Sequence, residues 1–157
     1  MSCPSAKCVR HHGRMADDTT EDHLKTSRHI SVWVDAAPEV VYEFAVDPQT
    51  WPQWAAGLAE GGLRRSADGW VADSPMGTVT VEFSPPNQFG VLDHVVRMPS
   101  GEAVYNPLRV VPGEVGEPRC EVVFTVRRRP NMTDAEFDAD AAAVAADLAT
   151  LRRLVES

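Results

Sequence analysis

The pattern of hydrophobic and polar positions predicts a strand and two short helices at the start of the folded region. Residues 29–35 alternate apolar and polar side chains, which is the period of a strand with one buried face. Residues 38–46 carry apolar side chains on one side of a helix that begins at Pro38, a residue suited to the first helical turn. Asp47-Pro48 ends this helix, and residues 50–54 predict a second short one.

From residue 57 onward the pattern changes to short alternating runs separated by Gly, Pro, Asn and Asp, which is typical of strands joined by turns. Consecutive strands joined by short turns form an antiparallel meander. With the first strand, the sequence predicts seven strands, of which the six consecutive ones cover 57–65, 70–73, 78–83, 89–98, 103–111 and 119–128.

The C-terminal region predicts one long amphipathic helix. Thr133 and Glu136 have the spacing of a capping box, so the helix begins there. It runs for about 22 residues, or roughly 33 Å. Asp138, Asp140 and Asp147 are expected to face outward. A coiled coil is a weaker alternative because the segment holds so much alanine. The apolar stripe that needs a sheet to lie on consists of Phe137, Ala141, Val144, Leu148, Leu151 and Val155.

The predicted element order is therefore β-α-α-β6-α in an α+β fold. A seven-stranded curved antiparallel sheet wraps around the long C-terminal helix, and the two short helices close one end. Such a sheet rarely fills its interior with side chains, so a ligand cavity is expected between sheet and helix.

In these features the chain resembles the SRPBCC superfamily, the START-like helix-grip proteins, and in particular its polyketide cyclase/dehydrase-like group. The resemblance covers about residues 29–156 and is specific for the superfamily only. It implies a hydrophobic cavity, without naming a catalytic residue; members include ligand carriers, aromatase/cyclases, lipid binders and co-chaperone-like proteins. The segments that carry it are residues 30–44, Trp51-Pro52-Gln53-Trp54, residues 89–95 and the Asp/Ala-rich terminal helix.

Composition narrows the function classes. The 157 residues suit one domain, predicted at 29–157, and the net charge of −8 argues against a protein that grips nucleic-acid backbones. No apolar run is long enough for membrane insertion, and no apolar signal segment opens the chain, so a cytoplasmic location is expected. No cofactor is expected, and either a monomer or a homodimer is compatible with the sequence.

Residues 1–28 lack both apolar periods and are expected to be a flexible segment. Translation starting at Met15 is an alternative. Cys3, Cys8, His11 and His12 allow a zinc hypothesis, although the Cys spacing is at the loose end for zinc ligands. No metal-ligand spacing occurs in 29–157. Cys120 lies in an apolar strand pattern and is expected to be an inert buried thiol.

The candidate catalytic residues lie in the predicted hairpin around Ser100-Gly101. If that dipeptide is the centre of the turn, His94, Tyr105 and Arg109 share one surface. Arg109 would hold a carboxylate or enolate oxygen, while His94 or Tyr105 moves a proton in an aldol-type cyclisation or dehydration. The alternative is that His94 is a hydrogen-bonded structural residue and that Arg109 reaches solvent or an acidic neighbour.

The leading functional hypothesis is a cavity that binds a small hydrophobic or aromatic molecule. The alternatives are a polyketide cyclase or aromatase-type enzyme that uses the residues above, and a co-chaperone-like interaction module. The tryptophans could equally be ordinary core residues. The expected ligand contacts are Trp51, Trp54, Trp33, Leu92, Val96 and Leu148.

Overall fold

The computed structural model describes residues 26–56, 61–67, 69–74 and 77–157. Within these ranges the chain forms eight strands, two α-helices and a short 3-10 helix at Trp51–Gln53. The elements are β1 Ser27–Val34, α1 Pro38–Val46, β2 Leu63–Ser66, β3 Gly69–Ser74, β4 Gly77–Phe83, β5 His94–Arg97, β6 Ala103–Asn106, β7 Leu108–Pro112, β8 Cys120–Arg127 and α2 Asp134–Val155. The predictions of a flexible N-terminal segment, of zinc binding and of a start at Met15 fall almost entirely on residues outside the described ranges. The predicted end of the flexible segment at residue 28 is wrong, because Ser27 and Arg28 already belong to β1 and pair with β8.

All described strand pairs are antiparallel, and the strands form two sheets. One has the order β1-β8-β7 and the other the order β2-β3-β4-β5-β6. The α+β class and the long C-terminal helix are as predicted. The prediction of a single seven-stranded sheet is not confirmed, since the described residues form eight strands in two sheets.

The extra strand arises at Pro107, inside the segment predicted as one strand over 103–111. Proline has no N–H to donate to a sheet. Before Pro107, β6 pairs with β5; after it, β7 pairs with β8. The Pro107 carbonyl accepts from the Thr125 N–H at 2.9 Å, and the Leu108 N–H donates to Asp93 Oδ1 at 2.9 Å. The chain therefore passes from one sheet to the other at this proline.

The predicted strand over 89–98 is regular only in β5, because the residues before it form a loop around Asn87. The Asn87 side chain accepts from the Phe89 and Val91 N–H groups and donates to the Val91 carbonyl. Gly90 has a φ of 69°, and a Cβ there would collide with the Val110 carbonyl oxygen. Only glycine suits this close approach of the loop to β7.

Helix α2 begins with the predicted capping box, in which Thr133 accepts from the Glu136 N–H and Glu136 from the Thr133 N–H. Its apolar stripe packs against β1 and β8, with Phe137, Ala141, Leu148 and Leu151 buried. Arginines at the ends of β1 and β8 hold its first turns: Arg28 pairs with Asp138 and Arg128 with Asp134, both at 2.6 Å. No helix in the described ranges is long and apolar enough to cross a membrane.

Candidate functional site

A cavity of about 230 Å³ lies between α2 and the sheets. Its floor is formed by β5, β6 and β8, one wall by α2, and one end by the 3-10 helix and the residues after it. The lining is mainly apolar and aromatic, with a few polar side chains. It comprises Trp51, Trp54, Ala55, His94, Val96, Met98, Val104, Asn106, Phe124, Val126, Arg129, Asp140, Ala143, Val144, Asp147 and Leu148.

Four of the six predicted ligand contacts line this cavity: Trp51, Trp54, Val96 and Leu148. The other two do not. Trp33 is 46% exposed on β1, where the Arg119 guanidinium lies 5.1 Å from the centre of its ring. Leu92 belongs to the buried core. Trp33 follows Val32 in an alternating strand, so its side chain points away from the buried face.

The predicted surface shared by His94, Tyr105 and Arg109 does not form, because the register of the hairpin is one residue different. In the structure His94 pairs with Asn106, and Val95 pairs with Tyr105. Since neighbouring strand residues point to opposite faces, Tyr105 lies on the side of the sheet opposite His94. Of the three predicted catalytic residues, only His94 lines the cavity.

Tyr105 and Arg109 instead converge on Asp93, the residue next to His94, on the opposite face. Asp93 is 5% exposed and accepts hydrogen bonds from the Tyr105 hydroxyl and the Leu108 N–H. The Arg109 guanidinium pairs with the same carboxylate, so the alternative that Arg109 reaches an acidic neighbour is the correct one. This cluster, here called the Asp93 cluster, joins β5 to the chain segment that changes sheets at Pro107.

His94 is only 3% exposed and lies among aromatic rings. The Trp51 ring is 4.8 Å away in an edge-on arrangement, and the Phe83 and Phe124 rings are each 6.0 Å away. Burial lowers the pKa of His94 to about 4, against a weaker opposing effect of the Leu92 carbonyl. The imidazole is therefore neutral at pH 7.

Two carboxylates on α2 that were expected to face outward, Asp140 and Asp147, line the cavity. Each precedes a buried stripe residue, so it lies at the edge of the stripe. Burial raises the pKa of Asp147 to about 6, although the Ala56 N–H, 3.3 Å from its Oδ1, favours the ionised form. Asp140 lies 3.7 Å from the Arg129 guanidinium. Asp138 is exposed, as predicted.

The two tryptophans of the cavity differ in their polar atoms. The Trp51 Nε1–H donates to the Ala45 carbonyl at 2.9 Å, which ties the 3-10 helix to α1. Trp54 Nε1 is buried and has no hydrogen-bond partner among the described residues. A buried donor left unpaired is costly and uncommon in folded proteins.

Asn106 and Phe124 are among the lining residues that were not predicted from the sequence. Phe124 could have been predicted, because it lies between Val122 and Val126 in the alternating pattern of β8 and its side chain faces the same side as theirs. Asn106 depended on the hairpin register and could not.

The acid stability of the protein should depend on two opposing groups in this cavity. Unfolding restores the ordinary pKa of His94, 6.5, so the unfolded chain binds more protons there between about pH 6.5 and 4, and acidification destabilises the fold. Below about pH 4, the loss in the free energy of unfolding that His94 causes reaches about 3 kcal/mol. Asp147 acts oppositely: between about pH 6 and 4 the folded protein binds more protons, which stabilises it.

We therefore expect Asp147→Asn to lose stability more steeply than the wild type as the pH falls from 7 to 4.5. Urea denaturation at closely spaced pH values measures the slope. The matched control is Asp138→Asn on the exposed face of α2, which should retain the wild-type slope. Equal slopes for wild type and Asp147→Asn would contradict the assignment.

A second concavity of about 470 Å³ lies on the surface between α1 and the Asn87 loop. It is larger than the first, but its lining includes the exposed carboxylates of Glu39 and Glu43 and the Phe89 side chain, which is 75% exposed. It contains no buried titratable group. Cys120 is buried, and burial raises the pKa of its thiol to about 11, as expected for an inert cysteine. In the described part of the chain, no cluster of three or more His, Cys, Asp or Glu could hold a metal ion.

Neither a protein-family model nor a curated protein matches the sequence. Solved structures do match its fold. A START superfamily protein from Mycobacterium smegmatis aligns over 83% of this chain and 97% of its own, at 14% identity and a TM-score of 0.57. XoxI from Bacillus cereus aligns over 83% and 95%, at 12% identity and a TM-score of 0.65.

BexL, the di-domain ARO/CYC of the BE-7585A biosynthetic pathway, aligns with 83% of this chain at 16% identity and a TM-score of 0.60. The chain spans about half of BexL, 46% of its length. At these identities the similarity shows the fold. The protein therefore shares the fold of a START superfamily protein and of an ARO/CYC protein, a fold that the sequence resemblance predicted.

Proposed function

We propose that the protein binds a small hydrophobic or aromatic molecule in the cavity between α2 and the sheets. The observation that carries this proposal is a half-open, mainly apolar space between helix and sheets, lined by the Trp51, Trp54 and Phe124 rings. Binding sites for small molecules commonly combine apolar walls with a few placed polar groups. At about 230 Å³ the cavity is slightly smaller than the usual range of roughly 300–1,000 Å³, so a compact ligand of one or two rings fits it best.

A cyclase-type enzyme is the second candidate, favoured by the neutral His94 in the cavity and by the likeness to the ARO/CYC protein BexL. Of the three residues first considered for catalysis, His94 alone would have to move the proton. Tyr105 and Arg109 are bound to Asp93 on the other face. Binding without turnover is the function that the geometry supports best.

Ala143→Phe is expected to weaken binding of 2-methoxynaphthalene at least tenfold, because a phenyl ring at position 143 occupies the cavity from α2. Quenching of tryptophan fluorescence or calorimetry measures the affinity. The matched control, Ala145→Phe, makes the same change two residues along the helix. Both alanines are exposed, but only Ala143 lines the cavity, so Ala145→Phe should bind as the wild type does. Equal affinities in both variants, or wild-type protein that binds no aromatic probe, would refute the proposal. If Ala143→Phe alone weakens binding, mass spectrometry of small molecules that co-purify from the native host would identify the natural ligand.

A further inference from the structure

Given the proposed binding function, we infer that the ligand is an uncharged aromatic molecule with a hydroxyl group, and that this hydroxyl donates a hydrogen bond to Nε2 of His94. The hydrogen bonding of the His94 ring and the charged side chains around the cavity support this assignment.

The hydrogen bonding of His94 fixes which ring nitrogen carries the proton. Nδ1 lies 3.3 Å from the carbonyl oxygen of Leu92, two residues earlier. A carbonyl oxygen only accepts hydrogen bonds, so Nδ1 must be the donor. In a neutral imidazole the other nitrogen is then an acceptor. His94 therefore presents an unprotonated Nε2.

This acceptor has no hydrogen-bond donor from the protein in the part of the chain that the structure describes. The neighbours of the ring are the aromatic side chains of Trp51, Phe83 and Phe124, which offer it no polar partner. The Trp51 N–H is engaged with Ala45. Among the described residues His94 Nε2 is not one of the fully buried unpaired atoms, and His94 lines the cavity, so a ligand hydroxyl there can reach Nε2 and supply the donor.

The charges around the cavity select against an anionic ligand. Asp140 and Asp147 contribute carboxylates from α2, and the Arg129 guanidinium is paired with Asp140. A bound carboxylate would therefore lose its hydration without gaining an unpaired cation. A phenol meets these requirements, because it stays uncharged near pH 7.

The test compares three probes with the same ring system at pH 7: 2-naphthol, 2-methoxynaphthalene and 2-naphthoate. We expect 2-naphthol to bind at least tenfold more tightly than 2-methoxynaphthalene, which cannot donate a hydrogen bond, and 2-naphthoate to bind most weakly. In His94→Phe, which keeps a ring but removes the acceptor, 2-naphthol should lose this advantage, so that the ratio of the two affinities falls to about one.

The outcomes separate this inference from the proposed function. If no probe binds, the binding function itself fails. If 2-naphthol and 2-methoxynaphthalene bind equally well, or if 2-naphthoate binds best, the binding function stands and the hydroxyl inference is overturned.

A measurement on the wild-type protein keeps the test independent of how His94→Phe folds. In protein labelled with ¹⁵N-histidine, the Nε2 resonance of His94 should shift on addition of 2-naphthol. It should remain in place with 2-methoxynaphthalene. An Nε2 resonance that 2-naphthol leaves unchanged at saturation would overturn the inference.

Discussion

Asp93→Ala is expected to lower the free energy of unfolding by about 3 kcal/mol, because it removes the acceptor at the centre of the Asp93 cluster. The Leu108 N–H would lose its partner in a buried position, and the Tyr105 hydroxyl would lose its own. The Arg109 guanidinium would be left without its counter-charge, although solvent reaches part of this side chain. Removing one member of a buried pair costs more than the pair itself contributes.

Urea denaturation measures this loss. The matched control is Glu82→Ala, which also breaks a carboxylate–arginine pair of the sheet, 3.3 Å to Arg97, but with both side chains well exposed. Exposed pairs contribute roughly 0–1 kcal/mol, so this variant should unfold close to the wild type. If Asp93→Ala were no less stable than Glu82→Ala, the Asp93 cluster would not be what holds the junction between the sheets.

The second large effect is expected from Leu151→Ala on α2, with a loss of about 2–5 kcal/mol in the free energy of unfolding. Leu151 is 0% exposed and belongs to the main core cluster, where the helix packs on the sheet. Truncation leaves a cavity that the rigid surroundings fill only in part.

Leu154→Ala is the control, since it removes the same atoms from the same helix at a side chain that is 37% exposed. Chemical denaturation of both variants should show a clearly larger loss for Leu151→Ala. Similar losses at the two positions would mean that the stripe of α2 is not buried in solution as the structure has it.

The long helix was predicted almost completely because several local features agree. The capping box at Thr133 and Glu136 marks its start, and the apolar spacing that follows leads one face onto β1 and β8. Both are short-range properties of the chain, which sequence patterns capture well. The same holds for β4, whose alternation of apolar and polar residues is undisturbed.

The predicted side-chain faces were wrong at the β5–β6 hairpin, because a change of one residue in the register moves every side chain to the other face of the sheet. Five residues, 98–102, lie between β5 and β6. The Met98 N–H donates to the Glu102 carbonyl, which leaves three residues, 99–101, in the turn itself, with Gly101 at a φ of 89°. The prediction centred the turn on Ser100-Gly101, which shifts every partner by one and exchanges the two faces. The Leu108 N–H bond to the Asp93 side chain is a contact between the sheets that no local pattern reports.

The cavity was predicted, but its polar character was not. Asp140 and Asp147 are charged residues on a helix, so their pattern alone assigns them to solvent. They line the cavity because the space beside the apolar stripe is not filled by another element. That the Trp54 N–H has no hydrogen-bond partner among the described residues is likewise a property of its three-dimensional surroundings, which the sequence pattern does not report.

The position of a bound probe tests the central claim most directly. In methyl-labelled protein saturated with 2-naphthol, we expect intermolecular nuclear Overhauser effects from the probe to the methyl groups of Val96, Val104 and Leu148, which surround the cavity. Effects confined to Val110, in the concavity beside α1, would contradict the account.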